Sequence, residues 1–274
     1  MRCGFIKLRL LFSCLVVLGI IGGVAFVFVR PILARRVSPA EQEMMAQQML
    51  FVNETIKGQL RQLQATHTKW ARSDATYACL KNHGSEVSRN EYERQYLLPS
   101  TLAKAKVDYV FMIDGKEISF LRRAISRISQ HEISSFPDNL LEDFKNLRQV
   151  GNDFLEKPIS ALLFRPDGIY FIVSAPITHS NGTTEVDVQG VVVFVRQLKK
   201  ADMEAINNEV RMDVKLASVY DTNLYPELSE ILETLSASKP IAVRSSDGVH
   251  LTAYMKIRDF AESNDYVLVG TRPR

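Results

Sequence analysis

The sequence predicts an α+β chain: an N-terminal membrane helix, a long helix, and then an antiparallel sheet with flanking helices. Three observations carry this. Residues 10–29 read "LLFSCLVVLGIIGGVAFVFV", twenty positions without a charge. From Met45 to Tyr77 apolar residues recur at helical spacing, and beyond residue 107 the pattern changes to short apolar runs punctuated by turn signals.

About twenty apolar residues span a hydrocarbon core as a helix. A cleaved signal peptide is the competing reading, but its apolar region would be roughly 7–15 residues long, followed by a small-x-small cleavage site. Here the run exits into "RPILARR", which favours an uncleaved anchor at 10–30 behind a short stub at 1–9. A lipobox at Cys14 is disfavoured because most of the apolar run follows that cysteine. Basic residues flank both ends of the span (Arg2, Lys7 and Arg9 before it, Arg30, Arg35 and Arg36 after), so the charge rule alone leaves orientation open. Gly19 and Gly23 form G-x-x-x-G, a spacing that lets two membrane helices approach closely, although glycines are common in such helices.

The formal net charge of +3 belongs to this segment. Residues 1–30 hold Arg2, Lys7, Arg9 and Arg30 and no acid; removing those four from 34 basic residues leaves 30 against 31 acids. The body is nearly neutral, so no nucleic-acid surface is expected. Cys3 and Cys14 sit at or in the span, which leaves Cys79 alone in the body and excludes an internal disulfide there.

A new helix starts at "VSPAEQ". Ser38 is the N-cap, Pro39 takes the first helical position and Glu41 completes a capping box. Its apolar stripe is Met45, Met49, Val52, Ile56, Leu60, Leu63, Trp70 and Tyr77, which predicts one rod of about forty residues and roughly 60 Å. The stripe either packs on its own domain, or pairs with a second copy toward Met45 in a parallel homodimer, or does both. "VDYVFMI" (107–113) and "EISFLR" (117–122) flank a DGK turn; a helix is expected in "FPDNLLEDFKNLRQVG"; "ISALLFR" (159–165) and "GIYFIVSAPI" (168–177) form a second hairpin. "VQGVVVFVRQL" (188–198) is apolar throughout and reads as a central strand. A short helix "KKADMEAINNEV" follows, and "DVKLASV" opens the remaining part. Residues 218–274 predict a smaller α/β extension: a helix in "YPELSEILETLSAS" and strands in "KPIAVRS", "VHLTAYMKI" and "YVLVGTR".

"KWARSDATYACL" (69–80), "VDYVFMIDGKEISF" and above all "DGIYFIVSAPITHSNGTTEVDVQGVVVFVRQL" (167–198) resemble the fourth type of CHASE domain, extracytoplasmic sensors related to Cache and PAS-like folds. Asp74 and Tyr77 match that family's helix motif, and Gly168, Ala175, Pro176, Ile177, Gly190, Val193, Arg196 and Leu198 its sheet motif; Ser73 stands where the family has Trp. The resemblance implies a sensor domain over 38–217 with a long signalling helix and an antiparallel PAS/Cache-like sheet. It also implies a single-pass protein of the inner (cytoplasmic) membrane, with the bulk of the chain periplasmic, and a small-molecule ligand. "VLVGTRPR" is similar to the strand that leads such domains into a second membrane helix, so the chain resembles the input half of a receptor with the output domain missing, either a truncated gene product or a stand-alone anchored sensor. An envelope scaffold using the same fold without a ligand is the alternative.

The candidate ligand-binding residues are Trp70, Asp74, Tyr77, Tyr109, Phe111, Tyr170 and Arg196. Trp70, Asp74 and Tyr77 share one face of a continuous helix at i, i+4 and i+7, where they either line a pocket or form a core Trp and Tyr with Asp74 anchoring a backbone amide or Arg196. Arg196, in an otherwise apolar strand, needs a counter-charge, either an anionic ligand or an aspartate such as Asp74. Cys79 and His83 have the spacing of two metal ligands but no third, so no metal or cofactor is expected. No H-E-x-x-H, G-x-S-x-G or phosphate-binding glycine loop is present, which argues against an enzyme.

Overall fold

The computed structural model describes residues 37–81, 86–114, 119–134, 136–137, 140, 142–144, 158–165, 167–180, 188–219, 227–236, 238–245, 248–257 and 266–274. The expected membrane span, the DGK turn and most of the helix expected at 136–151 lie outside the described residues. No described helix is long and apolar enough to cross a membrane.

Helix α1 (Pro39–Ala71) begins as its sequence dictates: the Ser38 amide donates to Glu41 Oε2 at 2.8 Å, and the Glu41 amide donates to Ser38 Oγ at 3.2 Å. It ends earlier than expected. The chain breaks at Arg72 and Ser73 and restarts as α2 (Asp74–Lys81), so Trp70 does not share a helix with Asp74 and Tyr77. Two helices unforeseen in the sequence follow, α3 (Glu86–Tyr96) and α4 (Pro99–Lys104). Helix α3 is largely polar, so apolar periodicity could not reveal it.

The first sheet contains β1 (Tyr109–Asp114), β2 (Ser119–Ser126), β3 (His131–Glu132), β4 (Ile159–Arg165), β5 (Gly168–Pro176) and β6 (Gly190–Leu198), in the order β3-β2-β1-β6-β5-β4 and antiparallel throughout. The continuous apolar run is central as expected: β6 lies between β1 and β5 and is buried on both faces. Gly190 permits the close pairing at its start, because a Cβ there would fall 2.3 Å from the Ile113 carbonyl oxygen.

After β6 come α5 (Lys200–Val210), β7 (Asp213–Ser218), α6 (Leu228–Thr234), β8 (Ile241–Arg244), β9 (His250–Ile257) and β10 (Tyr266–Pro273). The last four strands form a separate antiparallel sheet in the order β7-β10-β9-β8. Strand β7 (213–218), which opens the remaining part of the chain, pairs along β10 at its far end.

Period-two alternation gives each sheet two different faces. On the first sheet Val110, Met112, Phe171, Val173, Val192 and Phe194 join the core that contains α1, while Tyr109, Phe111, Ile113, Tyr170, Ile172 and Val193 form a second core on the opposite face. On the second sheet Leu251, Ala253, Met255 and Leu268 join the α1 core, and Tyr254, Val267 and Val269 pack with Leu228 and Ile231 of α6. Helix α1 thus backs both sheets, touching β4, β5 and β6 of one and β8 and β9 of the other. This accounts for its stripe: Met45, Met49, Val52, Ile56 and Leu63 are each at most 2% exposed within their own chain, so that stripe is not free to pair with a second copy.

Candidate ligand-sensing site

The seven expected site residues do not form one site; they divide between the two faces of the first sheet. On the α1 face, Trp70 meets the Phe194 ring edge-on at 5.0 Å. One turn earlier His67 is buried, with its ring at 4.9 Å from Phe194 and Nε2 donating to the Val192 carbonyl at 2.9 Å. Burial lowers its pKa to about 4, so the imidazole is neutral at ordinary pH.

Asp74 caps the joint between α1 and α2 onto the segment after β5. It accepts from the Ser180 amide at 2.9 Å and Ser180 Oγ at 3.0 Å, with His179 Nδ1 at 3.1 Å. The Ser180 amide above all holds the Asp74 carboxyl below its usual range. Tyr77 packs edge-on against His179 at 5.4 Å, and the Thr178 amide donates to the Ala71 carbonyl. Asp74 and Tyr77 therefore fasten the joint between α1 and α2 to the segment after β5.

Arg196 has a counter-charge, but it is Asp202 and not Asp74. Its Nη2 donates to Asp202 Oδ1 at 3.0 Å, and its guanidinium lies 5.7 Å from the Phe171 ring. Asp202, in the first turn of α5, also accepts from the Lys199 amide at 3.0 Å and from Arg127 at 3.1 Å. Arg127 and Lys199 in turn pair with buried Asp108, which accepts the Gln197 amide as well. Burial alone would raise the Asp202 pKa; the Lys199 amide and the arginines outweigh it and lower the value. Burial likewise pulls the Arg196 pKa down, against Asp202. The network ties β1, β2 and β6 to the helix that leads into the second sheet. Sequence reasoning identified Arg196 as a charge in an apolar strand but could not locate Asp108, Arg127 or Asp202, whose roles depend on strand register.

On the opposite face Tyr109, Phe111 and Tyr170 do come together, with Phe136 over them. Ring centroids lie 5.6 Å apart for Tyr109–Phe136, 5.3 Å for Phe111–Phe136 and 6.5 Å for Tyr109–Tyr170. The polar margin is at the β4–β5 turn: the Tyr170 hydroxyl donates to Asp167 at 2.8 Å, and Arg165 pairs with Asp167 and Asp143. Burial, joined for Tyr170 by the acceptor Asp167, raises both tyrosine pKa values, so the phenols stay protonated. The result is a buried aromatic cluster with a few placed polar groups at one rim.

Cys79 is buried, with its thiol pushed up to about 11 mainly by burial, and His83 lies outside the described residues. No group of three metal-binding side chains is found among the described residues. A half-open groove of about 740 Å³ lies elsewhere, between the first turns of α1 and β8, bordered by Glu43, Ala46, Lys239 and Val243.

Two antiparallel sheets backed by one long shared helix define the class of this protein: it has the fold of extracytoplasmic sensor domains. Several solved structures share that fold. The extracellular domain described as that of a histidine kinase, vpHK1S-Z8, aligns at 14% identity over 86% of this chain and 97% of its own, TM-score 0.57. A Vibrio parahaemolyticus domain described as of the sensory box/GGDEF family aligns at 14% over 85% and 96%, TM-score 0.59. The sensor domain of the V. cholerae histidine kinase DctB aligns at 8% over 86% and 98%, TM-score 0.54. The CHASE4 domain family matches residues 55–217, and the chain belongs to that family. No curated protein matches it.

Proposed function

We propose that this chain is the sensory domain of a membrane-anchored signal-transduction receptor, with its bulk on the extracytoplasmic, periplasmic side of the inner membrane and a small molecule as its stimulus. The reading rests on the division of the first sheet into two faces. One is occupied by α1, the element that reaches both sheets; the other carries the Tyr109–Phe111–Phe136–Tyr170 cluster. A ligand that reorders those rings acts on a sheet whose reverse is bonded to α1 through His67 and to α5 through Asp202. It thereby biases packed elements that have discrete arrangements. The stretch 10–30 supports the anchor by its apolar length, and the neighbour described as an extracellular domain supports the outer side of the membrane. The test is a thermal-shift screen of the chain against a panel of small metabolites. A true ligand raises Tm for the wild type and loses its effect in Phe111→Trp and Tyr170→Ala. No stabilising compound, with the face staying rigidly packed, favours the scaffold alternative; a shift that survives both substitutions places the ligand elsewhere.

We further propose that the chain pairs in parallel with a second copy, through the outer face of α1 and not the buried stripe. Leu50 and Phe51 are each 47% exposed there, and a Cβ on Gly58, seven residues beyond Phe51, would meet nothing within 4 Å.

A further inference from the structure

We propose that the first turns of α1 and the end of β10 are clasped into one rigid strut, so that the domain's two ends move together and do not slide past each other. This rests on contacts alone and is independent of the ligand reading. Gly270 and Arg272 of β10 and Arg274 just past its end alternate along the chain, and each meets α1 about one turn lower than the last. Gly270 lies under Met49, where a Cβ would come within 2.7 Å of its Sδ. Arg272 donates to Gln48 Oε1 at 3.3 Å, with Met44 Sδ at the same distance. Arg274 forms a two-pronged pair with Glu41: Nε to Oε1 at 2.6 Å and Nη2 to Oε2 at 2.9 Å. Two strand residues advance about 6.7 Å and four helical residues about 6 Å, so the two repeats stay in step over this length.

Both partners are anchored independently. Glu41 is held by the capping box at Ser38, and the Arg274 amide donates to the Val249 carbonyl. Gln48 reaches on through Nε2 to the Val210 carbonyl at the end of α5. The Arg274 hydrogen bonds are the main cause that lowers the Glu41 pKa to about 2, so the pair is charged throughout the physiological range. Slippage is opposed elsewhere along α1. A shift of one turn would bring Gln48 and Gln59 to the positions where Val52 and Leu63 are buried, which places amides in an apolar core. Arginine suits this end because its planar fork engages both carboxylate oxygens at once.

The experiment uses the full chain in detergent or nanodiscs, with spin labels at residues 43 and 273 and hydrogen exchange read on the same samples. The expected wild-type result is one narrow distance distribution. Arg272→Gln and Arg274→Gln together should broaden it and raise exchange in the first turns of α1 at least about threefold, far in sequence from either substitution. Glu41→Gln, which leaves β10 intact, should speed exchange of the Arg274 amide. Two wild-type distances about one helical step (~6 Å) apart would overturn the inference in favour of sliding. Unchanged exchange in α1 with an unbroadened distribution in the double variant would overturn it as well.

Discussion

The buried network around Asp202 makes a prediction whose size follows from the geometry. Asp202 is the only carboxylate that the described structure pairs with Arg196, whose side chain is 4% exposed. Replacing Asp202 by Ala leaves that guanidinium buried without a counter-charge, whereas Arg127 keeps Asp108 and the Gln197 carbonyl. Leaving one member of a buried pair uncompensated costs about 3–5 kcal/mol. For a fold of this size that lowers Tm by roughly 6–20 °C, at about 2–4 °C per kcal/mol. Arg196→Met is far milder. Asp202 retains the Lys199 amide and Arg127, the thioether fills much of the space, and the cation–π interaction with Phe171 that disappears is worth on the order of 0.5–2 kcal/mol. The Arg196 Nε, for which no acceptor is found among the described residues, is also no longer buried. The expected net change is within about 1 kcal/mol. The double variant should recover most of the Asp202→Ala loss, a coupling of about 2–3 kcal/mol, as read by thermal and urea unfolding of the four members of the cycle. Asp74→Ala with Arg196→Met should be additive within about 0.5 kcal/mol, since the Asp74 side chain is 58% exposed and bonds to Ser180 and His179. Equal losses in Asp202→Ala and Arg196→Met, or strict additivity between them, would refute the reasoning.

Two further predictions follow from helix α1. His67 has a folded pKa of about 4 against an unfolded value near 6.5, so the unfolded chain takes up the proton first on acidification. Its contribution is intact above pH 6.5 and is lost progressively down to pH 4, on the order of 3 kcal/mol in all; His67→Gln should flatten stability-versus-pH curves over that window, and an unchanged slope would exclude the histidine as the cause. In membranes, cysteine at Phe51 or Gly58 should cross-link two chains under mild oxidant with Cys3 and Cys14 replaced, while Met49→Cys and Val52→Cys should not; the reverse pattern would show that the buried stripe opens.

The start of α1, the hairpin of β4 and β5 and the central position of β6 were legible in the sequence because each depends on local chemistry. A capping box satisfies its own amides, two apolar runs flank a Pro-Asp turn, and an uninterrupted apolar strand must be covered on both faces. The family was legible too, because its motif residues hold short-range positions. Three features were decided only by the tertiary structure. The break at Arg72–Ser73 rests on the segment after β5, some hundred residues on, which supplies the partners of Asp74. The assignment of β7 to the second sheet rests on its pairing with β10, at the far end of the chain. The division of the expected site rests on strand register: alternation shows that Tyr109 and Phe111 share a face, but only pairing across β1, β6 and β5 reveals that Tyr170 joins them while Arg196 points the other way, toward Phe171 and Asp202. Periodicity along one chain specifies which residues face together within an element; which element meets them is a long-range choice made by packing.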